Sequence, residues 1–304
     1  MNGNRVKIGI CTDSSAQLPR ELIERFDVAV VPITVTVDDH DYLEGVDLDA
    51  DAFYAMFTAD HRPTIATSQP SPGQFAVAYD ELLDQGCTEI LSIHVGATMS
   101  GTLNSARLAA HGLEVPVRLV DSGTASFGVG CCVWAAAEAV LAGATLDEAA
   151  AIAERLSPTI GNVFIVGALD LMRRGGRGGA AADETDGEGV PVLTLRNGTL
   201  EVVERVATLV DAVNSMAAYT LRWVGEGDDR PAGTVPLNVA IGTADAAASP
   251  LSAALEDAVE AAGNVHEVVR YRVGPSVGAH TGPGTAGCFM FPTTAPAPPS
   301  PTPS

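Results

Sequence analysis

Residues 6–37 read VKIGICTDSSAQLPRELIERFDVAVVPITVTV, and this stretch decides the fold. Val6–Cys11 is a short apolar run, Pro19–Phe26 carries apolar residues at helical spacing, and Val28–Val37 is a second run rich in Val and Ile. Strand, helix and strand in that order make a βαβ unit, because parallel strands can be joined only by a crossover. Working outward, further strands are expected at Glu89–His94 and Val117–Val120. Helices are expected at Ala50–Phe57, Pro72–Leu83, Thr102–Ala110, Ser126–Leu141 and Thr145–Leu156. Residues 1–160 are therefore expected to form an α/β domain around a doubly wound, mostly parallel sheet.

Beyond residue 160 the rhythm changes. Asn162–Val166, Val190–Leu195 and Leu200–Val206 read as strands, the last two joined across Arg196-Asn197-Gly198, a hairpin signal. Helices at Thr208–Val224 and Ala247–Ala262 alternate with strands at Pro236–Gly242, Val265–Val273 and Gly287–Phe291. Residues 161–292 are expected to form a C-terminal α+β domain, and 293–304, nearly all Pro, Ala, Thr and Ser, a disordered tail.

Composition excludes several classes. The net charge is -21, from 38 acidic against 17 basic residues, the wrong balance for neutralising phosphates, so no nucleic-acid partner is expected. The most apolar helix, from Phe127 to Leu141, contains Glu138 and two glycines and falls short of the ~20 residues a span requires, so no stable membrane insertion is expected. The N-terminus lacks a charged start, long apolar core and cleavage site, which points to the cytoplasm. Cysteines 11, 87, 131, 132 and 288 sit mostly in apolar segments with no ligand spacing and read as reduced, packed thiols. No metal cluster stands out; Asp47, Asp49 and Asp51 read as a solvated helix start.

Four segments hold more small and polar residues than a connection needs. Thr12-Asp13-Ser14-Ser15 follows the first strand, where the ligand crevice of such a sheet lies, though helix capping explains it more simply. In Thr67-Ser68-Gln69-Pro70-Ser71-Pro72, Ser71 suits an N-cap and Pro72 the first helical turn, which leaves Thr67 and Ser68 over. Hydroxyls beside a helix N-terminus suit an anion. In Gly96-Ala97-Thr98-Met99-Ser100-Gly101-Thr102, Thr102 can cap and Ser100 is left over in the same way; His94 before it reads as a satisfied histidine. The segment Gly274 to Gly284 is an irregular glycine- and proline-rich loop that presents His280. Arg177, within Gly175-Gly176-Arg177-Gly178-Gly179, is either a bidentate carboxylate partner or a solvated arginine on a linker. Gly274-Pro275-Ser276-Val277-Gly278 matches GxSxG, yet a nucleophile elbow must open a helix and this segment runs into more Gly and Pro.

Taken together, in order and spacing, these segments, with Asn104-Ser105-Ala106 and Val120-Asp121-Ser122, resemble the DegV family of bacterial fatty-acid-binding proteins over Val6 to about Phe291. The resemblance implies two α/β domains with a long-chain fatty acid buried between them and no further cofactor. It implies that Thr67 and Ser100 hold the carboxylate, that His280 joins them, and that Arg177 matches the arginine after the double glycine. It also implies a non-catalytic carrier that presents its acid to a separate fatty acid kinase for acyl-phosphate formation in phospholipid synthesis. Three departures are visible: Gly96 and Ala97 stand where the family usually carries two serines, the run from Gly178 to Gly189 is short and acidic, and the chain as a whole is strongly acidic. The alternative is a serine/histidine-dependent hydrolase or acyl transferase using Ser100, Ser276 or His280, which needs an oriented base. A nucleotide-binding regulator rests on fold analogy alone.

Overall fold

A computed structural model of the chain describes residues 6–168, 171, 188–196, 199–223 and 236–293. Strand β1 (Ile8–Asp13) lies inside a four-stranded parallel sheet, between β2 (Val28–Val31) and β6 (Glu89–His94), with β7 (Val117–Asp121) beyond β6. Helices α3 (Pro72–Asp84) and α4 (Thr102–Ala110) cover one face; α1 (Arg20–Phe26), α5 (Phe127–Leu141) and α6 (Leu146–Leu156) cover the other. This is the doubly wound, parallel arrangement that the alternating sequence pattern implies.

Helix α5 explains how the halves meet. Every residue from Phe127 to Ala137 is buried, as an all-round apolar helix must be. One side packs on β1 and β6, and the other reaches the second sheet, where the Trp134 ring meets Phe291 edge-on at 5.4 Å. That sheet is mixed and six-stranded, in the order β10 (Thr199–Val206), β9 (Val190–Arg196), β8 (Gly161–Ile165), β13 (Ala286–Pro292), β11 (Leu237–Thr243), β12 (Val265–Arg272). Only β11 and β12 pair in parallel. Helices α7 (Leu209–Arg222) and α8 (Ser249–Glu260) cover its outer face over Val163, Val192, Val239 and Met290. Tyr271, Phe289 and Phe291 instead join the core around α5.

Two expectations change. The run Val28–Val37 is not one strand: it breaks at Pro32, which has no N–H to donate, and Ile33 N–H turns to Ser14 Oγ at 2.9 Å. The second piece, β3 (Thr34–Val37), sits in a separate antiparallel sheet between β4 (His40–Leu43) and β5 (Ile65–Ser68). Thr67 and Ser68 are thus strand residues. The expected loop from Gly274 to Gly284 likewise contains a helix, α9 (Pro275–Thr281), because Pro275 falls at the first helical position, where its missing N–H costs nothing. The turn expected at Asn197-Gly198, the glycine segment around Arg177 and the residues after Thr293 lie outside the described residues; Arg196 and Thr199 are strand partners.

Candidate ligand-binding site

A cavity of about 730 Å³ lies between the two halves, within the ~300–1,000 Å³ range of small-molecule sites. Thr67, Ser100 and His280 all line it, joined by Ser68 and Gln69. None of its described lining residues is Lys, Arg, Asp or Glu. Arg177 lies outside the described residues.

Three separate elements deliver these side chains. Thr67 is on β5, paired with Val35. It does not serve the N-terminus of α3: that end is closed by a capping box in which Ser71 Oγ accepts from Gln74 N–H and Gln74 Oε1 accepts from Ser71 N–H. Ser100 does lie at a helix start. Gly101 is the N-cap of α4 and Thr102 its first residue, so Thr102 cannot cap as the sequence suggested; Ser100 Oγ accepts from Thr102 N–H at 3.3 Å and lies 2.8 Å from Thr102 Oγ1. The positive end of the helix dipole is therefore beside Ser100. His280 occupies the last turn of α9, and α9 packs against β5, β3 and α2 (Ala50–Ala55) of the N-terminal half.

Gln69 binds the first two elements together. Its amide lies against Gly101, where any Cβ would collide with it, and its Nε2 donates to Ser105 Oγ at 3.3 Å. Nothing in the local sequence around Gln69 signals this role. The same holds for Glu44, buried against the start of α9, and for Ser126, which lines the cavity with φ 55, a left-handed conformation rare outside glycine. Ser126 supports the buried Tyr271 hydroxyl, whose ring stacks on Phe127 at 4.6 Å; burial pushes that phenol well above its usual range. A positive-φ serine leaves no signal in a single sequence.

The strand register orders the rest of the cavity. Helix α9 enters β13 at Ala286, which pairs with Ile165; Phe289, three residues on, pairs with Asn162. Asn162 in turn clips Leu195, receiving its N–H at 2.7 Å and giving Nδ2–H to its carbonyl at 2.8 Å. The wall therefore passes from hydroxyls and imidazole near α9 to Phe164, Phe289, Leu195 and Leu200 further along.

The structure also contains a Ser–His–Asp array that the sequence did not reveal. Asp13 Oδ2 lies 3.0 Å from His94 Nδ1, His94 Nε2 lies 2.6 Å from Ser92 Oγ, and Ser92 Oγ lies 2.8 Å from the Tyr79 hydroxyl. All four side chains have zero exposure. Burial alone would raise the Asp13 carboxyl; hydrogen bonds from His94, Ser15 and Val95 N–H outweigh it and hold the group below its ordinary value. With Ser92 enclosed between His94 and Tyr79, the array braces strand ends. It meets the cavity at two lining residues, Ser15, whose hydroxyl donates to Asp13 Oδ1, and Val95, whose N–H donates to Asp13 Oδ2. Ser276 does fall in a helix after all, but its N–H donates to Glu44 and its hydroxyl accepts from Gln17.

Among the described residues, no helix is long and apolar enough to cross a membrane, and no group of His, Cys, Asp or Glu is placed to hold a metal ion. A DegV domain-containing protein of Streptomyces coelicolor is 36% identical to this chain over 93% of it and 98% of the relative. A Thermus thermophilus DegV family protein, whose structure is described as one of fatty acid binding, superposes with a TM-score of 0.83 at 32% identity, covering 94% of this chain and all of the other. A stearic-acid-binding protein of Eubacterium ventriosum shares the fold, with a TM-score of 0.81 at 22% identity, covering 94% of this chain and 98% of the other. A family model described as "Uncharacterised protein, DegV family" matches residues 7–293, from the first strand to the last, and the chain therefore belongs to the DegV family.

Proposed function

We propose that this protein is a carrier that buries one long-chain fatty acid between residues 1–160 and 161–292, acting as two domains. Thr67, Ser100 and His280 hold the carboxylate, with Arg177 completing the set. The supporting observation is that one cavity takes Thr67, Ser100 and His280 from three elements and continues along an apolar wall. A desolvated carboxylate needs donors, and two hydroxyls, an imidazole and the amino end of α4 supply them. The chain contributes roughly 0.8 kcal/mol per buried methylene. The Thermus thermophilus relative, described as fatty-acid-binding, supports the ligand class.

In this reading the protein works in the cytoplasm without catalysing a reaction, and presents the acid to a separate fatty acid kinase for acyl-phosphate formation in phospholipid synthesis. Native mass spectrometry of the purified protein, followed by organic extraction, is expected to find one fatty acid per chain. Ser100→Ala and His280→Ala are expected to lower its retention. Protein that carries no acyl ligand and takes none up overturns the reading; turnover of an acyl ester by the isolated protein replaces it with the hydrolase.

A further inference from the structure

Helix α9 belongs to the C-terminal half of the sequence yet is anchored to the N-terminal half, and Glu44 is at the centre of that anchor. The helix has no cap of its own: Gly274 occupies the N-cap and Pro275 the first position. Its open end is closed from outside. Glu44 Oε1 accepts the Ser276 N–H at 2.8 Å, and Gln17 Oε1 accepts the Gly274 N–H. The Glu44 carboxylate is itself held by Ser14 Oγ and by Gln17 Nε2 at 3.4 Å. Glu44 is 6% exposed, and a Cβ on Gly274 would lie 2.6 Å from its Oε1, so this backbone passes the carboxylate too closely for any other residue. Burial raises the Glu44 carboxyl above its ordinary value, against the hydrogen bonds of Ser14, Ser276 and Gln17.

A buried carboxylate is costly, and among the described residues this one bonds to the start of one short helix and to its own supports. The other end of that helix carries His280 into the cavity, about one turn beyond Ser276, and Val277 and Thr281 of the same helix also line it. We propose that Glu44 is a positioning residue: by capping α9 from the N-terminal half, it sets where His280 meets the head group, and so determines the preference of the cavity for an acid over an uncharged chain. This rests on the fatty-acid reading of the cavity.

The test is titration of the full-length protein, stripped of lipid, with palmitate and with palmityl alcohol, which share a chain and differ in the head. Glu44→Ala is expected to weaken palmitate roughly tenfold while leaving the alcohol within roughly twofold, the selective loss that coupling between packed residues produces. Glu44→Gln keeps an acceptor for Ser276 N–H and is expected to retain the wild-type preference. On a His280→Ala background, Glu44→Ala is expected to cost palmitate nothing further. Should Glu44→Ala fail to fold, Glu44→Asp, which withdraws the carboxylate from Ser276, carries the same expectation. An equal loss for acid and alcohol, no loss for palmitate, or a loss that adds fully to that of His280→Ala each overturns the positioning role. Wild-type protein that binds neither palmitate nor the alcohol refutes the fatty-acid reading instead, so the two failures are distinguishable.

Discussion

His94 Nδ1 lies 3.0 Å from Asp13 Oδ2, with both side chains wholly shielded from water. Asp13 also receives Ser15 N–H and Val95 N–H, each at 3.2 Å, so one carboxylate fixes the ends of two adjacent strands. Asp13→Ala leaves His94 Nδ1 buried without this partner, and a buried polar group left unsatisfied costs about 1–3 kcal/mol. Urea denaturation should report that loss. The pH dependence has a definite sign. The folded-state carboxyl is held below the ordinary aspartate range, so its contribution is complete above that range and disappears as the pH falls through the lower folded value. Asp13→Asn should flatten the stability curve in that acid window, and an unchanged acid limb would show that Asp13 is not the group responsible.

The close approach of α9 to α2 sets a second expectation. A Cβ on Gly278 would lie 2.5 Å from the Tyr54 hydroxyl and 2.8 Å from the Phe53 ring. Both aromatics are buried and pack edge-to-face at 5.0 Å, so neither can yield easily. Gly278→Ala should therefore push α9 outward and cost about 1–3 kcal/mol, as overpacking does. Because α9 carries His280, ligand retention should fall along with the melting temperature. Loss of stability with full retention would mean that the helix and the cavity are uncoupled.

The thiols offer a simpler measurement. All five cysteines are free and buried. Burial raises Cys11, Cys132 and Cys288 to about 12, and Cys131 well above its ordinary value, so the reactive thiolate is scarce at neutral pH. Ellman's reagent should label none of them in the native protein and all five after unfolding in denaturant. Rapid labelling of a native thiol would contradict the packing around it.

The parts of this molecule legible in its sequence are those governed by local pattern. The alternation of Val- and Ile-rich runs with helical spacing gives the parallel sheet, and Thr102–Ala110 begins and ends where the spacing says. The breaks came where a tertiary partner overrode the pattern. Val28–Val37 reads as one strand, yet Pro32 and the Ser14 hydroxyl divide it between two sheets. Gly274 to Gly284 reads as loop, yet Glu44, some 230 positions away, supplies the cap that lets a helix form. Local pattern also put Thr67 and Ser100 in the same kind of position, two hydroxyls before a helix; in space one is on a strand and the other at a helix start. Capping from a distant residue, like the enclosure of Ser92, His94 and Asp13, is invisible until the chain has folded.

The far wall of the cavity yields the last expectation. Leu200 is 1% exposed, lines the cavity and packs with Leu193 and Phe164, away from α9 in the strand register. Leu200→Ala removes volume there without touching Thr67, Ser100 or His280. Such a truncation costs about 2–5 kcal/mol when the space stays empty. A longer acyl chain can refill it, at roughly 0.8 kcal/mol per buried methylene. The acids extracted from Leu200→Ala should therefore shift towards longer chains than those from wild type, and adding such an acid should restore part of the lost thermal stability. The side chains proposed to hold the carboxylate are untouched, so the proposed preference for acid over alcohol should persist. If the chain-length profile stays the same while the protein is destabilised, the acyl chain does not run along this wall, and the orientation read from the pairing of β13 with β8 is wrong.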